Sequence, residues 1–146
     1  MKKINDKLLV GSLEECGLPG LNIDAVDMRV DTGAQTSSIH VDNIEEFEKD
    51  NELWVRFDIH PDIHNVDTIV QREAKVKAQR HIKSSNATRQ KRYVIDTKIQ
   101  LGDATWAIEL TLTDRSAMSY LMLLGRQAME GRLIVDPEQE YLLKED

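Results

Sequence analysis

The 146-residue chain holds a single cysteine, Cys16, which excludes an internal disulfide and any cage of cysteine ligands for zinc. Scarce cysteine suits a reducing compartment. No apolar run approaches the roughly 18 residues of a membrane-crossing helix. After the cationic start MKK, the apolar stretch Leu8-Leu9-Val10 ends too soon to form the core of a secretion signal. The expected location is therefore the cytoplasm, away from membrane. Excess positive charge is also lacking. Nineteen Lys and Arg stand against 26 Asp and Glu, a net charge of -7, which argues against nucleic acid or anionic lipid as a partner of the whole molecule.

Two catalytic signatures are missing as well. There is no Gly-x-x-x-x-Gly-Lys-Ser/Thr loop to cradle phosphate and no His-Glu-x-x-His helix to hold catalytic zinc. The nearest approach is His60-Pro61-Asp62-Ile63-His64, where Pro61 and the preceding strand pattern oppose a helix. That predicts two solvent-facing loop histidines rather than a metal pair. His40 and His81 are isolated in sequence and would meet His60 or His64 only through the fold. No cofactor and no metal ligand set is expected.

Repeats, low-complexity linkers and long amphipathic helices are absent, and period-two alternation fills the space they leave. Val26, Met28 and Val30 alternate with Asp27 and Arg29; Leu53, Val55, Phe57 and Ile59 alternate with Trp54, Arg56 and Asp58. The clearest unit is a hairpin, with Tyr93, Ile95, Thr97, Ile99 and Leu101 on one arm and Trp106, Ile108, Leu110 and Leu112 on the other. Gly102-Asp103 supplies the turn. A second hairpin should join Lys75–Lys83 to an arm starting near Arg89 through Ser84–Thr88. Tyr120–Leu124 reads as a buried central strand, and Gln127–Glu130 as one or two helical turns closed by Gly131. Apolar residues at 40% and charged residues at 31% describe a soluble globular chain, long enough for one domain over residues 1–146. Many short strands with little helix predict a mainly-β fold, a small closed or nearly closed barrel.

Charge is unevenly placed. Residues 71–92 carry eight basic side chains, Arg72, Lys75, Lys77, Arg80, Lys83, Arg89, Lys91 and Arg92, against Glu73 alone. This is either a solvated ribbon or a local positive surface for an acidic ligand.

One short stretch carries chemistry. In VDTGAQTSSIH, residues 30–40, an alternating apolar run delivers Asp31 into Thr32-Gly33. Gly33 lets the backbone turn sharply and approach another chain, and the Thr32 hydroxyl is placed to bond a neighbouring backbone. An aspartate on such a rigid support is how an acid protease presents its carboxylate, although Asp and Gly are also ordinary turn residues. The chemistry needs two carboxylates sharing one proton. No second Asp-Thr-Gly or Asp-Ser-Gly exists; Asp96-Thr97 lacks the glycine. If Asp31 is catalytic, its mate comes from a second copy across a twofold axis.

The chain resembles the retropepsin-like aspartic proteases at VDTGAQTSS and, some ninety residues on, at Leu123-Leu124-Gly125-Arg126. More closely, DTGAQTSSIH and TLTDRSAMSYLMLLGRQAMEGRLIVDP resemble the family labelled ATP-dependent zinc proteases, which often accompany RimK-type ATP-grasp glutamate ligases. The resemblance implies a retropepsin-type barrel and a homodimer with Asp31 catalytic. Thr32, Gly33 and Ala34 would shape the loop, and Leu124 and Gly125 would brace it from below. It also implies a possible glutamate-ligase partner and places Lys75–Arg92 where retropepsins carry a flap. A basic flap would suit an acidic or glutamate-rich peptide, held by Lys83, Arg89, Arg115 and Arg126. Two other readings stay open: a non-catalytic module binding acidic peptides, and a zinc hydrolase using scattered histidines, as the label suggests. Ser37 and Ser38 have no histidine relay and read as strand residues; Trp54, Trp106, Met118, Met122 and Met129 read as packing residues.

Overall fold

The computed structural model describes residues 1–61, 68–83, 89–114 and 120–144. In chain order the strands are β1 (Lys3–Ile4), β2 (Lys7–Val10), β3 (Leu13–Leu18), β4 (Ile23–Val30), β5 (Ser37–Lys49) and β6 (Glu52–Ile59). They continue as β7 (Val70–Lys75), β8 (Ala78–Lys83), β9 (Arg89–Leu101), β10 (Ala104–Asp114), β11 (Met122–Leu124) and β12 (Leu133–Val135). A 3-10 turn occupies Pro19–Leu21, and a single turn of helix, α1, occupies Arg126–Met129.

The 93–112 hairpin forms in the anticipated register. Ile99 faces Trp106, Ile95 faces Leu110, and Ala104 meets Leu101 across the Gly102-Asp103 turn, where Gly102 has φ +58. Its apolar positions face inward: Ile95, Ile99, Leu101 and Leu110 are fully buried, each contributing about 1.5–3 kcal/mol by leaving water. Six strands then close on themselves in the order β10–β9–β3–β4–β11–β5, because β5 also pairs with β10. The β4–β11 and β5–β10 pairings are parallel and the rest of the ring is antiparallel. Closure leaves no unpaired edge among the six. The result is a mainly-β barrel with, among the described residues, one short α-helix, as the alternation predicted.

Outside the ring, β6 and β7 continue the sheet from β5, and β8 flanks β9. A separate three-stranded sheet, β1–β2–β12, carries the last strand back to the first residues. The second predicted hairpin begins later than expected. Lys75 belongs to β7, which pairs with β6, and the chain crosses at Val76 and Lys77 before β8 joins β9. The backbone N–H of Val76 donates to the Leu53 carbonyl and that of Lys77 to the Val94 carbonyl, so the crossing is itself hydrogen-bonded to both layers. The Ser84–Thr88 tip lies outside the described residues. Cys16 packs in the core with Sγ 3.8 Å from the Met122 sulfur, and burial, helped by Glu15 and Asp27, pushes its thiol up to about 12. It is therefore no nucleophile at neutral pH. Among the described residues no helix is long and apolar enough to cross a membrane.

Candidate active site

β4 buries Val26, Met28 and Val30 and leaves the barrel at Asp31, which is half-buried, while Thr32 and Gly33 are exposed. The parallel pairing of β4 with β11 runs one step past the strand end, since the Asp31 N–H donates to the Leu124 carbonyl at 2.9 Å. Asp31 then folds its own loop. Its Oδ1 accepts the Gly33 N–H at 2.9 Å, and its carbonyl accepts the Ala34 N–H at 3.2 Å. Such an Asx-type turn fixes the carboxylate relative to the backbone.

The far side of the loop is tied to the segment around α1. The Arg126 N–H donates to the Ala34 carbonyl at 2.8 Å, the Gln127 N–H to the Gln35 carbonyl at 3.1 Å, and Arg126 Nη1 to the Thr32 carbonyl at 3.0 Å. The Gly125 N–H donates to Ser37 Oγ at 3.0 Å. Gly125 lies so close to the loop that a Cβ there would sit 2.5 Å from both the carbonyl carbon and oxygen of Thr36. Leu124 is fully buried beneath. Asp31, Thr32, Gly33, Ala34, Leu124, Gly125 and Arg126 are thus gathered into one hydrogen-bonded unit.

Ser37 is the residue that sequence reasoning undervalued. It is a buried hydroxyl that receives the brace, and the signal was a polar residue in the inward phase of Ser37, Ile39 and Val41. Arg115 lies outside the described residues. Lys83 and Arg89 face each other in register at the outer end of β8–β9. Most of the basic run is engaged by the protein itself. Lys75 pairs with Glu52 at 2.9 Å, Lys77 with Asp96 and Glu109 at 3.1 and 3.0 Å, Arg80 with Glu109 at 3.7 Å and Lys91 with Glu46 at 2.7 Å. Arg72 donates to the Leu21 carbonyl at 2.6 Å. Lys75, Lys77, Arg80 and Lys91 of the ribbon are thus ion-paired within the protein and are not open cations.

His60 departs from the expected solvent-facing loop. It ends β6 nearly buried, with Nε2 2.7 Å from Asp42 Oδ2, because β5 turns its carboxylate toward that corner. His64 lies outside the described residues, and His40 Nδ1 is 3.1 Å from Thr113 Oγ1. Among the described residues no three His, Cys, Asp or Glu side chains are gathered so as to hold a metal.

Chemically, the loop offers one carboxylate whose Oδ1 is held by a backbone amide. Among the described residues neither Asp31 Oδ2 nor the Thr32 hydroxyl takes a hydrogen bond. An open groove of about 450 Å³ is lined by Thr32, Lys7, Arg126, Met129, Leu133 and Val135, among others.

A probable alpha-L-glutamate ligase of Shewanella pealeana is 48% identical over 141 residues, covering 97% of this chain and 31% of that protein. One of Parasynechococcus marenigrum is 47% identical over 137 residues, covering 94% of this chain and 29% of that protein. The chain spans less than a third of the length of these relatives. A crystal structure of a Legionella pneumophila protein of unknown function superposes with TM-score 0.76 at 28% identity, covering 94% of this chain and 98% of the other. The matching family model is described as RimB-like, retropepsin-like aspartic endopeptidase RimB, a description that mentions neither zinc nor ATP. That match runs from residue 9 to residue 146 and takes in both the aspartate loop and its brace, and on it the chain belongs to the RimB-like family of retropepsin-like aspartic endopeptidases.

Proposed function

We propose that the chain is one half of a homodimeric aspartic hydrolase acting on peptide or isopeptide bonds in glutamate-rich chains. The observation that carries this reading is the Asp31 loop: a carboxylate locked by its own turn and by Leu124, with one oxygen left over, in a chain that has no second Asp-Thr-Gly or Asp-Ser-Gly. A twofold axis beside Thr32 supplies the mate as Asp31 of a second copy. The exposure of Thr32 and its place in the lining of the groove support contact there. Glutamate enters as substrate class because the relatives bear the name of glutamate ligases, and a hydrolase would reverse the bond that such a ligase makes.

Two like charges a few ångströms apart do not both ionise, so the pair holds one proton. The ionised carboxylate takes a proton from water as the water oxygen bonds to the scissile carbonyl carbon. The protonated partner gives its proton to the carbonyl oxygen, and the tetrahedral diol expels the amine, which takes a proton back. Arg126, anchored on the Thr32 carbonyl, is the proposed contact for a substrate carboxylate, and Arg115, Lys83 and Arg89 are proposed further contacts.

Asp31→Asn tests the assignment. Cleavage of a glutamate-tailed peptide, followed by mass spectrometry, should fall by about three orders of magnitude or more while fold and peptide binding persist. Cleavage that survives the substitution rejects the aspartic mechanism.

A further inference from the structure

Glu14 is a fully buried carboxylate that the proposed chemistry does not use. A polar group is buried at tolerable cost only when its oxygens are filled by donors. Here the donors are all backbone. Oε2 accepts the N–H of Gly11 at 2.7 Å and of Leu142 at 2.9 Å, and Oε1 accepts the N–H of Leu143 at 3.1 Å. Two of the three come from the other end of the chain. Tyr141, just before them, has φ +55, a left-handed conformation that a bulky residue adopts only under constraint. That turn aims the successive N–H groups of Leu142 and Leu143 at one carboxyl group.

Residues 136–144 thus form a strap pinned across residues 11–14. The Asp136 N–H donates to the Val10 carbonyl at 2.8 Å, the Ser12 N–H to the Gln139 carbonyl at 2.8 Å, and the Tyr141 N–H to the Leu13 carbonyl at 2.8 Å. Gly11 has no room for a side chain, because a Cβ would lie 2.3 Å from the Gln139 carbonyl oxygen. On its other side the same short segment holds the aspartate strand: the Ser12 carbonyl accepts the Val30 N–H at 2.9 Å, one residue before Asp31. An unbroken path of hydrogen bonds therefore runs from Glu14 and the strap through Ser12 to the base of the Asp31 loop.

We infer that Glu14 is a positioning residue, a buried carboxyl lock whose hold on the strap fixes the strand end that presents Asp31. The catalytic consequence rests on the aspartic reading above; the mechanical one does not. Glu14→Gln keeps the volume but replaces one acceptor oxygen with a donor that opposes a backbone N–H. Hydrogen exchange of the full chain should show the amides of Leu142, Leu143, Ser12 and Val30 exchanging about tenfold faster or more in this variant, the scale of leaving a buried N–H without its acceptor. Glu14→Asp, one methylene shorter, should lie between. Exchange that accelerates at Leu142 and Leu143 while Val30 keeps its wild-type rate would overturn the coupling, and unchanged strap amides would overturn the lock.

If Glu14→Gln does not fold, the wild type still decides the matter. Strap and Val30 amides must open together across denaturant, and a strap that frays well before Val30 refutes the path. On glutamate-tailed peptide, Glu14→Gln should lower kcat about tenfold with KM unchanged, and Glu14→Asp should recover part of it. A rise in KM at constant kcat rejects the positioning role. A wild type without cleavage retires the aspartic reading while leaving the exchange result to decide the lock.

Discussion

Two glycines of the aspartate loop do different work, and the space around each tells them apart. At Gly125 an added methyl would meet the Thr36 backbone, with N, C and O all within 2.8 Å, and backbone cannot swing aside as a side-chain tip can. At Gly33 the nearest atom to an added Cβ is Asp31 Oδ1 at 3.2 Å, tight but not a collision. Gly125→Ala should therefore cost stability by about 1–3 kcal/mol, the usual penalty of forcing a methyl into a packed site. Gly33→Ala should melt near the wild type yet lower turnover, because it crowds the carboxylate and not the scaffold. Thermal denaturation beside a cleavage assay checks both. Equal losses of stability in the two variants would show that the loop is uniformly tight and that Gly33 is a structural residue as much as Gly125.

At the scale of elements, legibility followed periodicity. β9 and β10 were readable because each alternates cleanly and Gly102-Asp103 separates them. The loop was readable because Asp31 ends such a run. β5 was not: its outer half, Glu45-Glu46-Phe47-Glu48-Lys49, has no apolar phase, and a bulge with Asn43 at φ +54 breaks the register between Asp42 and Glu45. Neither was the strap, since Glu14 sits among the acidic residues of Leu13-Glu14-Glu15-Cys16, and only the distant amides of Leu142 and Leu143 make it a core residue. The pairing of the basic ribbon was hidden for the same reason, because its acids lie on other strands. One such pairing is testable by pH. Glu46 on β5 accepts hydrogen bonds from Lys91 and from the Tyr93 hydroxyl on β9, joining the ribbon to the barrel.

The Lys91 hydrogen bond, then that of Tyr93, holds the Glu46 carboxyl below its ordinary value. A lowered carboxyl stabilises the fold fully above the unfolded pKa, about 4.3, and loses that contribution as pH falls through the folded value. Melting temperatures of wild type and Glu46→Gln should thus differ at pH 6–7 and converge below the folded Glu46 pKa. Parallel curves across that range would mean that the clip adds nothing.

For the whole molecule, the decisive question is how many chains make one site. A barrel that closes on itself uses all its ring strands internally, so a second copy is not needed to close it; in the proposed mechanism its task is to bring the second carboxylate. That separates stability from activity in a way a single-chain site cannot. Asp31→Asn chains should fold and associate as the wild type does, since the Asp31 N–H, the carbonyl and the Leu124 pairing are untouched. Mixed with wild type and left to exchange at fixed total protein, they should poison it. With half the chains substituted, random pairing leaves about one quarter of dimers with two native aspartates, so the rate should fall to about a quarter of the unmixed value. A fall to about one half, linear in the wild-type fraction, would mean that each chain works alone and that the shared-proton pair is wrong. The measurement is a titration of initial cleavage rate against the proportion of Asp31→Asn, with sedimentation of the same mixtures to verify that chains have exchanged. A quadratic curve alongside freely exchanging dimers is the result that an acid divided between two identical chains requires.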